Sequence, residues 1–302
     1  MDPEAPDLEE YLGEVGRIGI DLIAEKGEVI AVEGVQKNII GCNWKLAVDN
    51  LFDWYHVQIS HASAMMSGYG GPQSPPLDKD GNPYMPRSNP MDSYAHRVLL
   101  GEYGHAISGP RITGPQREDM EAMGDNVPLF IDERWRETPS AREALGEAGR
   151  DTRGHPNIFP NLWIASAGTQ LSLRLPRGPG HCEIWWFTII DKNLPVEQQH
   201  IRITNANHTF GPAGMLEQDD GENWDQSTRA TSGVVARRYP LNFQMGKGLG
   251  TPTKPATGPN YIDTHVNEHA QFWTYRSWAE WMDAESWAAL KVSRPSNPDQ
   301  AV

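Results

Sequence analysis

The sequence contains few cysteines, and that scarcity excludes several kinds of metal site. Among 302 residues only Cys42 and Cys182 are cysteines, and neither belongs to a Cys-x-His or Cys-x-x-Cys pattern. The two could form one disulfide, but nothing requires it, and free buried thiols are typical of a reducing compartment. We therefore expect neither a structural zinc site nor an iron–sulfur cluster held by this chain.

Two further absences concern membranes and nucleic acids. No apolar run reaches membrane-spanning length, and the start at Met1 lacks the basic and apolar segments of a secretory signal. The 26 basic residues are scattered and outnumbered by 40 acidic ones, which gives a net charge of −14. A nucleic-acid-binding protein would normally carry a basic patch. The sequence thus predicts a cytoplasmic protein with a solvated acidic surface and with neither a membrane nor a nucleic-acid partner.

The pattern of apolar residues predicts helices mixed with strands. Asp7 is placed to cap a helix that ends before Gly27. Residues 28–41 have the β-branched stretches of a hairpin, and residues 157–191 are sheet-like, with a turn-rich stretch at 176–180 between two strands. Because there is no regular βαβ alternation, an α+β class fits best, with helices packed on an antiparallel sheet.

The remaining predicted elements are mostly helices. They lie at about 43–60, 130–147, 195–208, 212–231 and 266–291, with strands near 94–100 and 103–108. In the last helix, an apolar stripe of Phe272, Tyr275, Trp278 and Trp281 is expected to face the core. The Gly- and Pro-rich loop at 67–92 is too long for a simple connector. We expect one domain over residues 1–302, with a loose tail at 295–302.

Two histidines five residues apart are the strongest indication of chemistry. His56 and His61 follow Asp53, and an acidic run containing Asp219 and Asp220 lies far downstream. Two imidazoles and one carboxylate form the facial triad that holds non-haem Fe(II) and leaves positions open for O2. A spacing of five requires a helix end or distortion, because only i,i+4 residues share a helical face. On spacing alone, chance and a solvated acidic cluster explain the pattern better, and either aspartate could be the third ligand.

Four motifs, in order, carry a resemblance to a known family. They are Asn43–Asn50 followed by Asp53-x-Tyr55-His56-x4-His61, then Asn157–Asn161, Thr209–Gly214 and Glu217–Trp224. Together they closely resemble the catalytic domain of Rieske non-haem iron aromatic-ring-hydroxylating dioxygenases, in the large α subunit, over about residues 5–292. The resemblance implies a helix-grip fold of the Bet v 1-like or START-like kind around a mononuclear iron. It also implies O2-dependent cis-dihydroxylation of an aromatic ring.

The resemblance also implies roles for particular residues. By position, His56, His61 and Asp220 bind Fe(II), and Asp219 is the less favoured aspartate. Asp53 matches the family's aspartate that hydrogen-bonds a ligand histidine and links it to the cluster of a neighbouring subunit. Such carboxylates orient the imidazole and tune its basicity.

A second set of residues is implied to line or adjoin the substrate pocket. These residues are Asn50, Val57, His155, Asn157, Phe210 and Leu216. The family often has an aromatic residue where Leu216 stands, so this pocket is expected to be roomier or differently shaped. Ordinary packing is the alternative interpretation for each of the six.

One part of the family pattern is missing from the sequence. The family's large subunit normally begins with a Rieske domain, whose Cys-x-His and Cys-x-x-His motifs do not occur here. A [2Fe–2S] cluster is therefore expected only from another chain, in an α3 or α3β3 oligomer fed by a ferredoxin and a reductase. Three explanations stay open: a truncated product, a separate Rieske chain, or a domain that kept its iron pocket for another purpose.

Two other functions stay open on the sequence. One is a non-catalytic helix-grip module or inactive fragment, whose affinity for an apolar ligand would survive loss of iron. The other is a Rieske-free iron enzyme that uses another reductant and consumes O2 without a ferredoxin.

Overall fold

The computed structural model describes residues 2–69, 75–87, 95–128, 131–167 and 169–293. Its helices are α1 Leu8–Ala24, α2 Trp44–Asp49, α3 Val57–Ser60, α4 Ala62–Met66, α5 Gly114–Met123, α6 Pro139–Arg150, α7 Val196–Thr209, α8 Met215–Thr231, α9 His269–Asp283 and α10 Trp287–Ser293. Its strands are β1 Val29–Ala31, β2 Gln36–Ile40, β3 His96–Leu100, β4 Ala106–Pro110, β5 His155–Ile158, β6 Leu162–Ala165, β7 Gln170–Pro176, β8 Cys182–Asp191, β9 Thr251–Thr253 and β10 Tyr261–Thr264. The predicted loose tail at 295–302 and parts of the 67–92 loop lie outside the described residues.

The described strands form one antiparallel sheet of ten strands. Their order is β1-β8-β7-β6-β5-β4-β3-β10-β9, and β2 pairs with β8 beside β1. The hairpin predicted at 28–41 is therefore wrong. Strand β8 has ten residues, so it pairs with β2 through Cys182–Trp186 and with β1 through Ile189–Asp191. The predicted hairpin around 176–180 is confirmed, since β7 and β8 pair in register from Gln170 to Pro176.

Helices cover both faces of this sheet. On one face α1 and α6 pack together, and Ile18 and Leu22 of α1 share a core cluster with Leu99 and Ile107 of the sheet. On the other face, which we call the inner face, α2, α8 and α9 cover a second cluster that includes Trp163, Trp186, Trp224 and Trp273. This arrangement confirms the predicted α+β class. None of the described helices is both long and apolar enough to cross a bilayer.

Helix α9 buries a different stripe from the one predicted. Its buried residues are His269, Ala270, Gln271, Trp273, Thr274 and Ser277, whereas Phe272, Tyr275, Trp278 and Trp281 are half-buried. The predicted stripe is wrong because other segments, not the sheet, cover these aromatics. The ring of Tyr275 stacks on Phe243 with centres 4.8 Å apart. The predicted single helix over 266–291 is also two, since α9 ends at Asp283.

Candidate metal centre

The predicted helix over 43–60 is interrupted, and the interruption places the two histidines. Helix α2 ends at Asp49, and α3 is a single turn flanked by His56 and His61. Oδ1 of Asp53 accepts a hydrogen bond of 3.0 Å from the backbone N–H of His56, which fixes the chain just before α3. The spacing of five is thus one helical turn with a histidine at each end, and the ring centres lie 5.1 Å apart.

Helix α8 brings a carboxylate to the same place. Asp220 is on its buried face and is only 3% exposed. Gly221 follows, and a Cβ there would lie 3.1 Å from Cδ1 of Ile40, so glycine lets α8 lie close against β2. Helix α8 also contacts α2, which directly precedes the segment that carries the histidines.

Three potential ligand atoms meet at this point. Nε2 of His56 and Nε2 of His61 each lie 3.3 Å from Oδ1 of Asp220. One ligand atom from each residue lies within 4.8 Å of the other two. Oδ1 of Asp220 is nevertheless buried without a hydrogen-bond partner among the described residues. The three atoms converge as donors to a shared centre would.

The outer nitrogens of both imidazoles have acceptors of their own. Nδ1 of His56 donates to the backbone carbonyl of Asp53, whose Oδ1 lies 3.4 Å away. Nδ1 of His61 lies 3.3 Å from Oδ2 of Asp219, which can accept its proton. An imidazole that donates from Nδ1 presents its Nε2 lone pair inward. Asp219 therefore lies outside the three converging atoms as a partner of His61, a role that sequence reasoning missed although the Asp-Asp doublet pointed to it.

Charge interactions in the cluster are strong. Burial alone lowers the pKa of His56, but its contacts with Asp220 and Asp53 raise that pKa to about 10. Burial raises the pKa of Asp220, and the two histidines more than reverse this, so that its pKa lies below the usual value. The carboxylates of Asp220 and Asp53 thus favour positive charge at this point. A metal ion would supply that charge with both imidazoles neutral.

The residues present fit a divalent metal. The buried Oδ1 of Asp220 lacks a partner and lies between two imidazole nitrogens. A cation at this point would satisfy all three groups at once. Two imidazoles and one carboxylate form the donor set that non-haem Fe(II) uses.

Three of the six predicted pocket residues lie around Trp163 on the inner face. The ring centres of His155 and Phe210 are each 4.9 Å from that of Trp163, and Asn157 pairs with it in the sheet. His155 donates from Nδ1 to the carbonyl of Leu51 at 3.2 Å, and burial lowers the pKa of His155 to about 3. The ring is therefore neutral at physiological pH.

The other three predicted pocket residues lie on α2, α3 and α8, the elements before, between and opposite the two histidines. Asn50 is the C-cap of α2, Val57 begins α3, and Leu216 is in the first turn of α8. All three are half-buried. The structure therefore brings His155, Asn157 and Phe210 together. Asn50, Val57 and Leu216 instead lie close in sequence to His56, His61 or Asp220.

Sequence reasoning missed a row of polar residues on the inner face of β7. Gln170, Ser172 and Arg174 alternate along the strand and are each at most 1% exposed. Both side-chain polar atoms of Gln170, the hydroxyl of Ser172, and Nε and Nη1 of Arg174 have no hydrogen-bond partner within the described chain. The only sequence indication was the polar–apolar alternation of β7, which does not tell which side is buried.

The chain matches a family model over most of its length. The model is described as the ring hydroxylating alpha subunit (catalytic domain), and it covers residues 10–284. The α subunit of biphenyl 2,3-dioxygenase from Rhodococcus jostii is 32% identical over 98% of this chain and 62% of its own length. The α subunit of chlorobenzene dioxygenase from a Cupriavidus species is 30% identical over 97% of this chain and 63% of its own.

Solved structures show the same fold. Naphthalene 1,2-dioxygenase from a Rhodococcus species, bound to indole, superposes with a TM-score of 0.69 at 28% identity, covering 94% of this chain and 64% of that one. A second naphthalene 1,2-dioxygenase with indole in its active site gives a TM-score of 0.72 at 22% identity, over 97% and 63% of the two chains. The chain spans less than two thirds of the length of each of these relatives.

Proposed function

Because this chain belongs to the family of ring-hydroxylating α-subunit catalytic domains, we propose that it performs O2-dependent cis-dihydroxylation of an aromatic ring. In this reaction both atoms of O2 add to adjacent ring carbons, and two electrons and two protons complete the product. Residues 1–302 would act as one catalytic domain. The observation that carries the proposal is the buried, unpartnered Oδ1 of Asp220 between two imidazoles.

The proposed metal is a single Fe(II) held by His56, His61 and Asp220. When bound, Fe(II) supplies the redox chemistry that couples O2 reduction to attack on the ring. The chain's own contribution is to hold two neutral imidazoles in one tautomer, through Asp53 at His56 and Asp219 at His61. The aspartate adds one negative charge, which lowers the charge of the centre and anchors it to α8.

The proposed substrate pocket lies on the inner face beside this centre. Phe210 stacks on Trp186 with rings 3° from parallel and centres 4.8 Å apart, so the pair forms a flat apolar surface that would orient a flat ring. The neutral ring of His155 adds a polar edge without adding charge. Asn50, Asn157, Val57 and Leu216 complete the proposed lining.

Electrons are proposed to enter from outside these 302 residues. Cys42 and Cys182 are buried and free, and the sequence has no Rieske motif, so the [2Fe–2S] cluster would be on another chain. Asp53 contacts His56 and is the proposed entry point. An α3 or α3β3 oligomer, a ferredoxin and its reductase stay predictions, as does a cytoplasmic location.

The proposal is tested by metal content. After anaerobic loading with Fe(II), we expect about one iron per chain and no acid-labile sulfide. Asp220→Ala removes the ligand oxygen, so iron retention should be lost, whereas Glu222→Ala, an exposed change on the same helix, should keep it. Equal iron content in wild type and Asp220→Ala would overturn the ligand assignment.

A further inference from the structure

Five buried N–H donors on the inner face have no acceptor. They are Nε and Nη1 of Arg174 and the indole Nε1 atoms of Trp163, Trp186 and Trp224, and none has a hydrogen-bond partner within the described residues. Arg174 is 1% exposed, and the three tryptophans are at most 4% exposed. Solvent at the surface therefore does not satisfy these donors.

The donors lie together. The guanidinium carbon of Arg174 is 4.5 Å from the ring centre of Trp163, 5.7 Å from that of Trp186 and 5.8 Å from that of Trp224. The Trp163 and Trp186 ring centres are 5.0 Å apart. One cation thus lies against three aromatic rings, in a group that we call the Arg174 cluster.

The buried carboxylate of Glu217 does not fill the Arg174 cluster. Glu217 is buried, and Oε2 accepts from the backbone N–H of Gly211 at 2.8 Å while Oε1 accepts from Asn38 at 3.4 Å. Burial lowers the pKa of Arg174 to about 10, and the charge of Glu217 opposes that effect, so the guanidinium is charged at neutral pH. A buried cation with unpaired N–H groups destabilises a fold, and native proteins pair such groups with protein, ligand or ordered water.

The cluster also lies beside the metal centre. Trp224 follows Asp220 by four residues on α8, which is roughly 6 Å along the helix axis. Phe210, a proposed pocket residue, contacts both Trp163 and Trp186. Phe210 therefore links the Arg174 cluster to the proposed pocket, and a flat ligand in that pocket would extend from Arg174 toward Asp220.

We propose, on the basis of the proposed function, that Arg174 binds the carboxylate of the substrate, and that the substrate class is therefore an aromatic carboxylate. The planar guanidinium presents paired N–H groups that match the two oxygens of a carboxylate. The indole N–H groups supply further donors beside it. The relatives are named for biphenyl and chlorobenzene, which are neutral, so this chain would differ from them in the charge of its substrate.

The test compares two probes that differ in charge but hardly in shape. Binding of 2-naphthoate and 2-naphthamide is measured by calorimetry on the Fe(II)-loaded chain without O2. We expect wild type to bind the carboxylate at least about tenfold more tightly than the amide. Arg174→Met should remove this preference, Arg174→Lys should keep part of it, and Arg177→Met, an exposed change on the same hairpin, should keep all of it.

Several results would overturn the inference. Equal affinities of wild type for the two probes would indicate that ordered water, not an anion, satisfies the donors, and this comparison stands even if Arg174→Met does not fold. If folded Arg174→Met still preferred 2-naphthoate over 2-naphthamide as strongly as wild type, the carboxylate would bind elsewhere. Failure of wild type to bind 2-naphthoate would also contradict the inference. Iron content on the same samples separates the outcomes, since full iron without a carboxylate preference refutes this inference and leaves the proposed function intact.

Discussion

At the scale of single residues, two adjacent aspartates have different surroundings. Successive helical residues are rotated by about 100°, so Asp220 faces the interior while the side chain of Asp219 is 32% exposed. The sequence alone left both as candidate ligands, because an Asp-Asp doublet does not reveal which side of α8 is buried. The structure places Asp220 between the two imidazoles and Asp219 behind His61.

We predict that Asp219→Asn weakens iron binding without abolishing it. Asparagine can still accept the Nδ1 proton of His61, but it lacks the negative charge that favours a cation on the other side of the ring. Loss of such an outer partner typically costs roughly 10–100-fold in metal affinity. The measurement is a competition titration of the Fe(II)-loaded chain with a chelator of known affinity. Glu222→Gln, exposed on the same helix, should bind iron like wild type, and an Asp219→Asn affinity equal to that control would contradict the assigned role.

At the scale of elements, the alternation of residues along a strand shows which side chains share a face of the sheet. It does not show which face is buried. In β7 the leucines at 171, 173 and 175 alternate with Gln170, Ser172 and Arg174, and the usual expectation puts leucines inside. Here the polar set is buried and the leucines are half-buried, partly under α1. Because the inner face holds the candidate site, its polar residues could not be located without knowing which face that is. The helix interruption between α2 and α3 was easier to predict from the sequence, because a histidine spacing of five already required it.

Two glycines set the distance between β4 and the start of β5. A Cβ on Gly154 would lie 2.4 Å from the carbonyl carbon of Ser108 and 2.6 Å from the backbone nitrogen of Gly109. The carbonyl of Ser108 also accepts a 3.0 Å hydrogen bond from the indole of Trp54, whose ring lies 4.6 Å from that of His155. This close approach therefore supports one wall of the proposed pocket.

We predict that Gly154→Ala destabilises the protein. The added methyl group meets backbone atoms that cannot rotate away, so the strands must separate, at a cost of roughly 1–3 kcal/mol in the free energy of unfolding. Gly180→Ala is the matched control, because a Cβ there has nothing within 4 Å. Urea titration of both variants measures the difference. If the two variants unfold at the same urea concentration as wild type, the close contact at Gly154 does not exist in solution.

At the scale of the whole molecule, the fold class followed from the sequence, and the pairing of distant strands did not. Alternating helical and strand patterns sufficed for an α+β assignment, and short-range turn chemistry identified the β7–β8 hairpin. The pairing of β2 with Trp186 and its neighbours joins segments about 150 residues apart, which no local pattern encodes. For the same reason, the proposed ligand set required a motif match, whereas the polarity of the inner face required the structure.

The sheet also buries imidazoles, and these couple the stability of the whole molecule to pH. His96 of β3 is 3% exposed, and burial, with repulsion from His265, lowers its pKa to about 4. The unfolded chain takes up a proton on this residue below about pH 6.5, while the folded chain does not until about pH 4. The stability associated with neutral His96 is thus complete above pH 6.5 and is lost as the pH falls through 4.

We predict that His96→Gln flattens the pH dependence of unfolding. Integrated from pH 7 to pH 5, one such histidine lowers the free energy of unfolding by about 2 kcal/mol, and the variant should lose that much less than wild type over the same interval. Urea titrations of the metal-free chain at both pH values measure the difference between variant and wild type. Groups with an opposing pH dependence that both proteins share, such as Asp49, whose pKa burial raises to about 8, cancel in that difference. The exposed His200→Gln serves as control and should follow wild type. If His96→Gln also follows wild type, the pKa of His96 is the same in the folded and the unfolded chain, and water reaches this part of the sheet.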